Sequence, residues 1–268
     1  MTMKNASLLA SLGFAVVLVQ VAPAFAQGSA GPKVADAKPG EIRLLVTAAI
    51  REPLDAVMAK AQAAIGKPMV VEYGSARGNL KDEILKGQDF ELAILLPDVN
   101  EQLLAAGKIL PDTFEIAHVP VAIGLRGDAK VDVSTPAAIK DAMLKAKSIK
   151  YAPTGAALLT VKNLFSKLDV GDKVHDSSTL RAEVPLAAGE YELNFYPLSE
   201  IIPNKKLKNL GAVIPALQVP STIQVVIGKN ANDPKSARAL IKFLQGPAID
   251  EALKADGMEK STLVSKLK

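Results

Sequence analysis

The 268-residue chain has no cysteine, no tryptophan and only two histidines, His118 and His175. The lack of thiols excludes disulfides, thiolate metal sites and cysteine nucleophiles together. Two histidines alone make no histidine-rich metal site, so neither a metal nor a cofactor is expected. His118, just ahead of a strand, and His175, in a polar loop, read as structural or exposed side chains. Aromatic residues are 4% of the chain, and the basic residues are scattered rather than gathered in a stripe, which argues against a nucleic-acid surface. Nucleotide-holding glycine loops are absent: there is no Gly-x-Gly-x-x-Gly and no Gly-Lys-Ser/Thr. Gly74-Ser75-Ala76-Arg77-Gly78 has its serine out of register for a hydrolase elbow. Carboxylate pairs such as Asp82-Glu83 fall on ordinary exposed helix faces. Nothing here calls for an enzyme.

Past the first residues, no apolar run reaches membrane-spanning length. The beginning itself carries Lys4, an apolar stretch from Ala6 to Ala22, and Ala24-Phe25-Ala26, a small-x-small pattern that signal peptidase cuts. Ser7, Ser11 and Gln20 interrupt the stretch and argue against a permanent anchor. Residues 1–26 are therefore expected to be a signal peptide removed on export, and 27–38, rich in Gly, Ser, Ala and Pro, a flexible leader. The remainder, about 240 residues, is enough for two lobes of ordinary domain size. The net charge of +4, slightly reduced when Lys4 is removed, suits an anionic partner.

Short β-branched runs alternate with stretches of helical periodicity, the pattern of an α/β fold with a mostly parallel sheet and covering helices. Strands are predicted at Ile42–Thr47, Met69–Tyr73, Leu92–Leu95, Val119–Leu125, Ile149–Ala152, Glu192–Tyr196, Leu210–Val213 and Thr222–Ile227. Helices are predicted at Pro53–Ala64, Asn79–Lys86, Asn100–Ala106, Thr135–Leu144, Ala156–Leu168, Thr179–Ala188, Leu198–Ile202, Asp233–Leu244 and Ile249–Ala255. The pattern restarts after Arg126-Gly127-Asp128.

Four stretches together resemble the periplasmic molybdate-binding protein family and its wider relatives among type II solute-binding proteins of ABC transporters. They are Leu45–Ile50, Val71–Leu80 with the run to Leu95, Ala188–Ile201, and Ala237–Gly257 with Phe243-Leu244-Gln245-Gly246-Pro247. Each is weak alone, but the four in order cover nearly all of the chain after the leader. The resemblance implies two lobes, each a mostly parallel sheet flanked by helices. Lobe 1 would be residues 39–121 plus 222–268 and lobe 2 residues 122–221, with hinges near 119–125 and 219–226. It implies a monomer in the periplasm that closes by hinge motion on a small anion and delivers it to an inner-membrane transporter permease.

The family's ligand lies between the lobes, held by backbone amides and hydroxyls at helix starts, where unpaired donors and the helix dipole favour negative charge. Carried over by position, Ala49 and Ile50 match the first ligand turn and Ser75 the second. Gly155 and Ala156 match the third, Leu180 the fourth, and Tyr196 the tyrosine after the last strand. Each also has a plainer reading: Ser75 as a helix cap, Thr154-Gly155-Ala156 as an ordinary helix start, Tyr196 as a core tyrosine. Ile50 stands where molybdate binders usually place a serine, and Arg51, Arg77 and Arg181 flank three of the turns. Guanidinium groups match carboxylates with paired donors, so an organic carboxylate is favoured over molybdate or tungstate. The arginines read otherwise as solvated surface charges, Arg181 as a partner of Glu183. A sensor module using the same cleft and a degenerate exported enzyme are the competing functions.

Overall fold

The computed structural model describes Lys38 and residues 40–180 and 182–267. The expected signal peptide, nearly all of the leader, and Arg181 lie outside the described residues. Strand β1 (Ile42–Thr47) leads through the 3-10 turn Ala48–Ile50 into α1 (Arg51–Ile65), and β2 (Met69–Gly74) leads through Ala76–Leu80 into α2 (Lys81–Leu85). Then come β3 (Leu92–Leu95), α3 (Pro97–Ala105), β4 (Ile109–Val119), β5 (Val121–Arg126), α4 (Pro136–Lys145) and β6 (Ser148–Tyr151). Next are α5 (Leu158–Leu168), β7 (Glu192–Pro197), α6 (Leu198–Ile201), β8 (Lys208–Ala212) and β9 (Ser221–Gly228). Last are α7 (Pro234–Gln245), α8 (Asp250–Ala255), β10 (Glu259–Lys260) and β11 (Val264–Lys266).

The strands form two sheets. The first has the order β10-β4-β9-β3-β1-β2, with β11 also paired to β4; the second has the order β6-β7-β5-β8. All six residues of β1 are buried, as a strand covered on both faces requires. One face of α1 (Pro53, Leu54, Val57 and Ala61) packs down, and the helix ends at Gly66, whose φ of 72° suits a left-handed cap. In α7, Ala237, Leu240, Ile241 and Leu244 are buried, while the Asp233 carboxylate accepts from the Ser236 amide at 3.0 Å and caps the helix. These helices close one core over the first sheet. A second core, with Ile139, Met143, Val161 and Leu164 from α4 and α5, lies on the second sheet.

The sheets are mixed rather than mostly parallel. β1 runs parallel to β2 and β3, and β6 to β7, whereas β9 lies antiparallel between β3 and β4. This follows from the path: the chain leaves the first sheet after Val119, passes Pro120, and enters the second at Val121. It returns between Ala212 and Ser221. The two passages are tied side by side by Gln218. Its side-chain amide donates to the Val121 and Val213 carbonyls at 3.0 and 3.1 Å, and its carbonyl oxygen accepts from the Val121 amide at 3.0 Å.

Besides the short unpredicted strands β10 and β11, two longer segments depart from the sequence prediction. Thr179–Ala188 is not helical, because Pro185 removes a donor and disfavours helical backbone at Val184. Strand β4 was not predicted, because Pro111 reads as a strand breaker; it is accommodated where the β4–β9 register shifts between Ile109 and Thr113.

Candidate functional site at the strand ends

In an open α/β sheet, the natural binding place is the crevice outside the carboxyl ends of the strands. β1 and β2 are parallel with Thr47 opposite Gly74, so the turns Ala48–Arg51 and Ser75–Arg77 leave the first sheet side by side. β6 and β7 are parallel with Tyr151 opposite Phe195, so the turn through Thr154–Ala156 and the segment from Tyr196 leave the second sheet side by side. These four segments join across the two sheets in pairs.

The first junction is Ser75 and Arg77 against Thr154 and Gly155. The Ser75 hydroxyl donates to the Thr154 carbonyl at 2.7 Å, with Thr154 Oγ1 also 2.7 Å away, and the Arg77 amide donates to the same carbonyl at 3.1 Å. Space at Gly78 is tight: a Cβ would lie 3.0 Å from Thr154 Oγ1 and 3.2 Å from the Ser75 Cβ. The Arg77 guanidinium is bound within the protein. Nε and Nη2 donate to the two Asp98 oxygens at 2.7 and 2.9 Å, and Nη1 donates to the Gly155 carbonyl at 2.7 Å. The second junction is the Ser199 hydroxyl, which donates to the Ala49 carbonyl at 2.6 Å.

Arg51 heads α1 beside that second junction, its guanidinium carbon 4.1 Å from the centre of the Tyr73 ring. The Tyr73 hydroxyl donates to Asp55 at 2.5 Å, and burial, then that bond, push it far above the ordinary phenol range. Among the described residues, no hydrogen bond or ion pair engages the Arg51 guanidinium. Glu200 lies in the same neighbourhood. Burial raises its carboxyl to about 7, and the positive charge of Arg51 lowers it only in part. The Tyr196 phenol is also held above its ordinary value, by burial first and then by the Glu200 and Glu192 charges.

The structure therefore gathers Ala49, Ile50, Arg51, Ser75, Arg77, Gly155 and Tyr196 at one seam, though not all with a free donor. Ile50 is fully buried in the first core, so only its backbone faces the seam's chemistry. Ala156 is buried in that core as well, its carbonyl accepting from Ser221 Oγ at 2.8 Å. The Leu180 amide is engaged in a turn with the Ser177 carbonyl at 3.0 Å, while its side chain is 42% exposed. Sequence reasoning named Thr154 only as part of the Thr154-Gly155-Ala156 turn and missed Asp98, Ser199 and Glu200. The last two stand at the end of a fully buried strand, which is the signal that could have marked them.

Among the described residues, no group of acidic, histidine or cysteine side chains could hold a metal ion. Within the same span, no helix is long and apolar enough to cross a membrane. A surface hollow of about 420 Å³ between β4 and α7, lined by Phe114, Arg238, Ile241, Lys242, Gln245 and Gly246, includes none of the strand-end groups. The convergent polar groups, rather than that hollow, define the candidate site.

Residues 42–259 match the family model described as bacterial extracellular solute-binding protein. The chain belongs to that family. It is 27% identical over 237 residues to the molybdate-binding protein ModA of Azotobacter vinelandii, covering 85% of this chain and 93% of the relative. It is 20% identical over 186 residues to an aconitate isomerase of a Pseudomonas species, covering 67% and 71%. The solved periplasmic molybdate-binding protein of A. vinelandii superposes with a TM-score of 0.60 at 19% identity, over 81% of this chain and 98% of that one. The fold is thus that of the type II periplasmic binding proteins.

Proposed function

We propose that the chain is the exported receptor of an ABC-type transporter and captures a small organic carboxylate between its two sheets. The observation that carries this reading is the meeting of four carboxyl-end turns, with Arg51 beside one junction and without a bound acid. A planar guanidinium backed by an aromatic ring presents paired donors that match a carboxylate. The start of α1, a helix of 15 residues, adds the partial positive charge of its dipole, while the Arg51 amide itself is bonded to the Ala48 carbonyl. Ile50, with its side chain in the core, supplies no hydroxyl for a tetrahedral oxyanion. The relative named for aconitate acts on a tricarboxylate, which supports the same ligand class. The passages at Pro120 and at 213–220 would serve as hinges between lobes 39–121 plus 222–268 and 122–221. The signal-peptide pattern of residues 1–26 and the relatives' location support export to the periplasm, where a permease would be the partner.

A relative named for molybdate favours a second reading, a molybdate or tungstate receptor using backbone donors at the same turns. The two separate in a thermal-shift screen of the chain from Gln27 onward against molybdate, tungstate, sulfate, phosphate and di- and tricarboxylates. A ligand at about 100 times its dissociation constant adds about 2.7 kcal/mol of stability. Stabilisation by carboxylates alone is expected; stabilisation by molybdate or tungstate alone would replace the first reading with the second.

A further inference from the structure

Glu200 is a second titratable group at this site, and when ionised it carries the same sign of charge as the ligand, opposite to that of Arg51. It follows Ser199, whose hydroxyl is bonded to the Ala49 carbonyl, and it lies within electrostatic reach of Arg51 and Tyr196. α6 is fixed there: it packs on the Ala48–Ile50 turn, and a Cβ on Gly257 would lie 2.4 Å from Leu198 Cδ2. Among the described residues, no hydrogen bond or ion pair engages the Glu200 carboxyl. A partly buried carboxylate without a donor repels a fully deprotonated anion and is stabilised by any ligand that brings an O–H to it.

Resting on the anion-receptor reading above, we propose that Glu200 is the specificity-determining acceptor of the site, selecting anions that carry their own O–H group. The Arg51 guanidinium and the positive end of α1 hold the ligand's negative oxygens, and Glu200 takes the ligand's hydroxyl or acid proton. The ligand class is a hydroxycarboxylate or hydrogen-bearing oxyacid. Its counterpart without the O–H leaves the partly buried Glu200 unpaired whenever it is ionised, which a site built for that bond rejects.

A test without mutation is available because burial places the Glu200 carboxyl at about 7. Sulfate stays a dianion at neutral pH, so a change in its affinity there reports the protein. Glu200 charged above that value repels sulfate; Glu200 neutral below it does not. The other charged groups on or next to elements packed against α6 are Arg51 at the start of α1, directly after the Ala48–Ile50 turn, Arg126 on β5, Glu192 on β7, Lys208 on β8 and Asp256 beside Gly257. Arg126 and Glu192 pair with each other at 3.1 Å, at the far end of their strands from α6.

The experiment is calorimetry of wild type and Glu200→Gln with matched probes: citrate and tricarballylate, malate and succinate, phosphate and sulfate. In at least one pair, wild type is expected to prefer the O–H-bearing member by about ten- to hundredfold, the strength of a bond to a charged acceptor. At pH 8, above the Glu200 value of about 7, Glu200→Gln should shrink that preference to about twofold and raise sulfate affinity about tenfold. Wild-type sulfate affinity should also rise as pH falls from 8 to 6, a readout that stands even if the variant fails to fold. A preference unchanged in a folded variant, or sulfate affinity flat with pH, overturns the assignment of Glu200 while leaving the receptor reading intact. Binding of none of these anions, nor of molybdate, by wild type overturns both.

Discussion

Replacing Asp98 with alanine separates two jobs open to Arg77, donating to a ligand and clamping the seam. In the structure the guanidinium is clamped, with two bonds to Asp98 and one to the Gly155 carbonyl. The Arg77 side chain is 12% exposed and that of Asp98 41%, so the pair is neither a free surface pair nor a buried one. Hydrogen bonds to charged groups contribute about 1.5–3 kcal/mol, but an exposed partner lowers this, leaving about 1 kcal/mol for the pair. Loss of a well-aimed donor to Gly155 adds about 1 kcal/mol. Together they make closure of the two sheets less favourable by about 1–2 kcal/mol, a factor of about 5 to 30. Asp98→Ala and Arg77→Ala should each weaken anion affinity by about that factor in calorimetry. The double variant should be no worse than the more affected single one, since both changes break one network. Tighter binding by Asp98→Ala would refute this reasoning, because it would mean that a released Arg77 reaches the ligand. Additive losses in the double variant would refute it equally.

The second core carries a pH prediction. Burial pushes the Glu192 carboxyl up, but the Arg126 bond at 3.1 Å and the Ser148 bond at 2.6 Å more than offset it and hold the group below its ordinary value. Its stabilisation is therefore full above the unfolded carboxylate value of about 4.3 and is lost as pH falls through the lower folded value. The urea midpoint should fall steeply below about pH 4 in wild type and less steeply in Glu192→Gln; identical acid limbs would contradict this. Gly228→Ala tests the join of β9 to the start of β3. An added Cβ would lie 2.4 Å from the Phe90 carbonyl oxygen, a backbone atom that cannot swing aside. A loss of about 1–3 kcal/mol is expected, seen as a melting point lower by several degrees; an unchanged melting point would show that the strand pair gives way freely.

The α/β class and most of the element order were legible because burial on both faces makes strands such as β1 and β3 into short, continuous apolar runs. Ile42–Thr47 and Leu92–Leu95 have the predicted limits in the structure. Local signals failed where a long-range partner decides. β4 is a strand despite Pro111 because β9, more than a hundred residues later, supplies a ladder in which the proline falls at a register shift. Thr179–Ala188 failed in the opposite direction. The stop at Gly189 reads as a helix end, but Pro185 within the segment, and an alternation of polar and apolar residues that does not have helical period, outweigh it.

The candidate site was legible as a set of turns and illegible as chemistry, and Arg77 and Arg51 show why. Both follow a strand and a small-residue turn, and the sequence gives them equal standing. What distinguishes them is Asp98, at the start of α3, and the Gly155 carbonyl of the other sheet, each met only once the chain has folded. Arg77 is thereby spent on holding the seam, while Arg51, backed by the Tyr73 ring, keeps its donors. Glu200 is the converse case, a carboxylate that looks like ordinary helix surface until the Ala49–Ser199 bond brings its helix beside the Ala48–Ile50 turn. Turns are written locally because backbone geometry is local. Whether a charge is free depends on its neighbours across the seam, so ligand selectivity must be read from the pairing of charges.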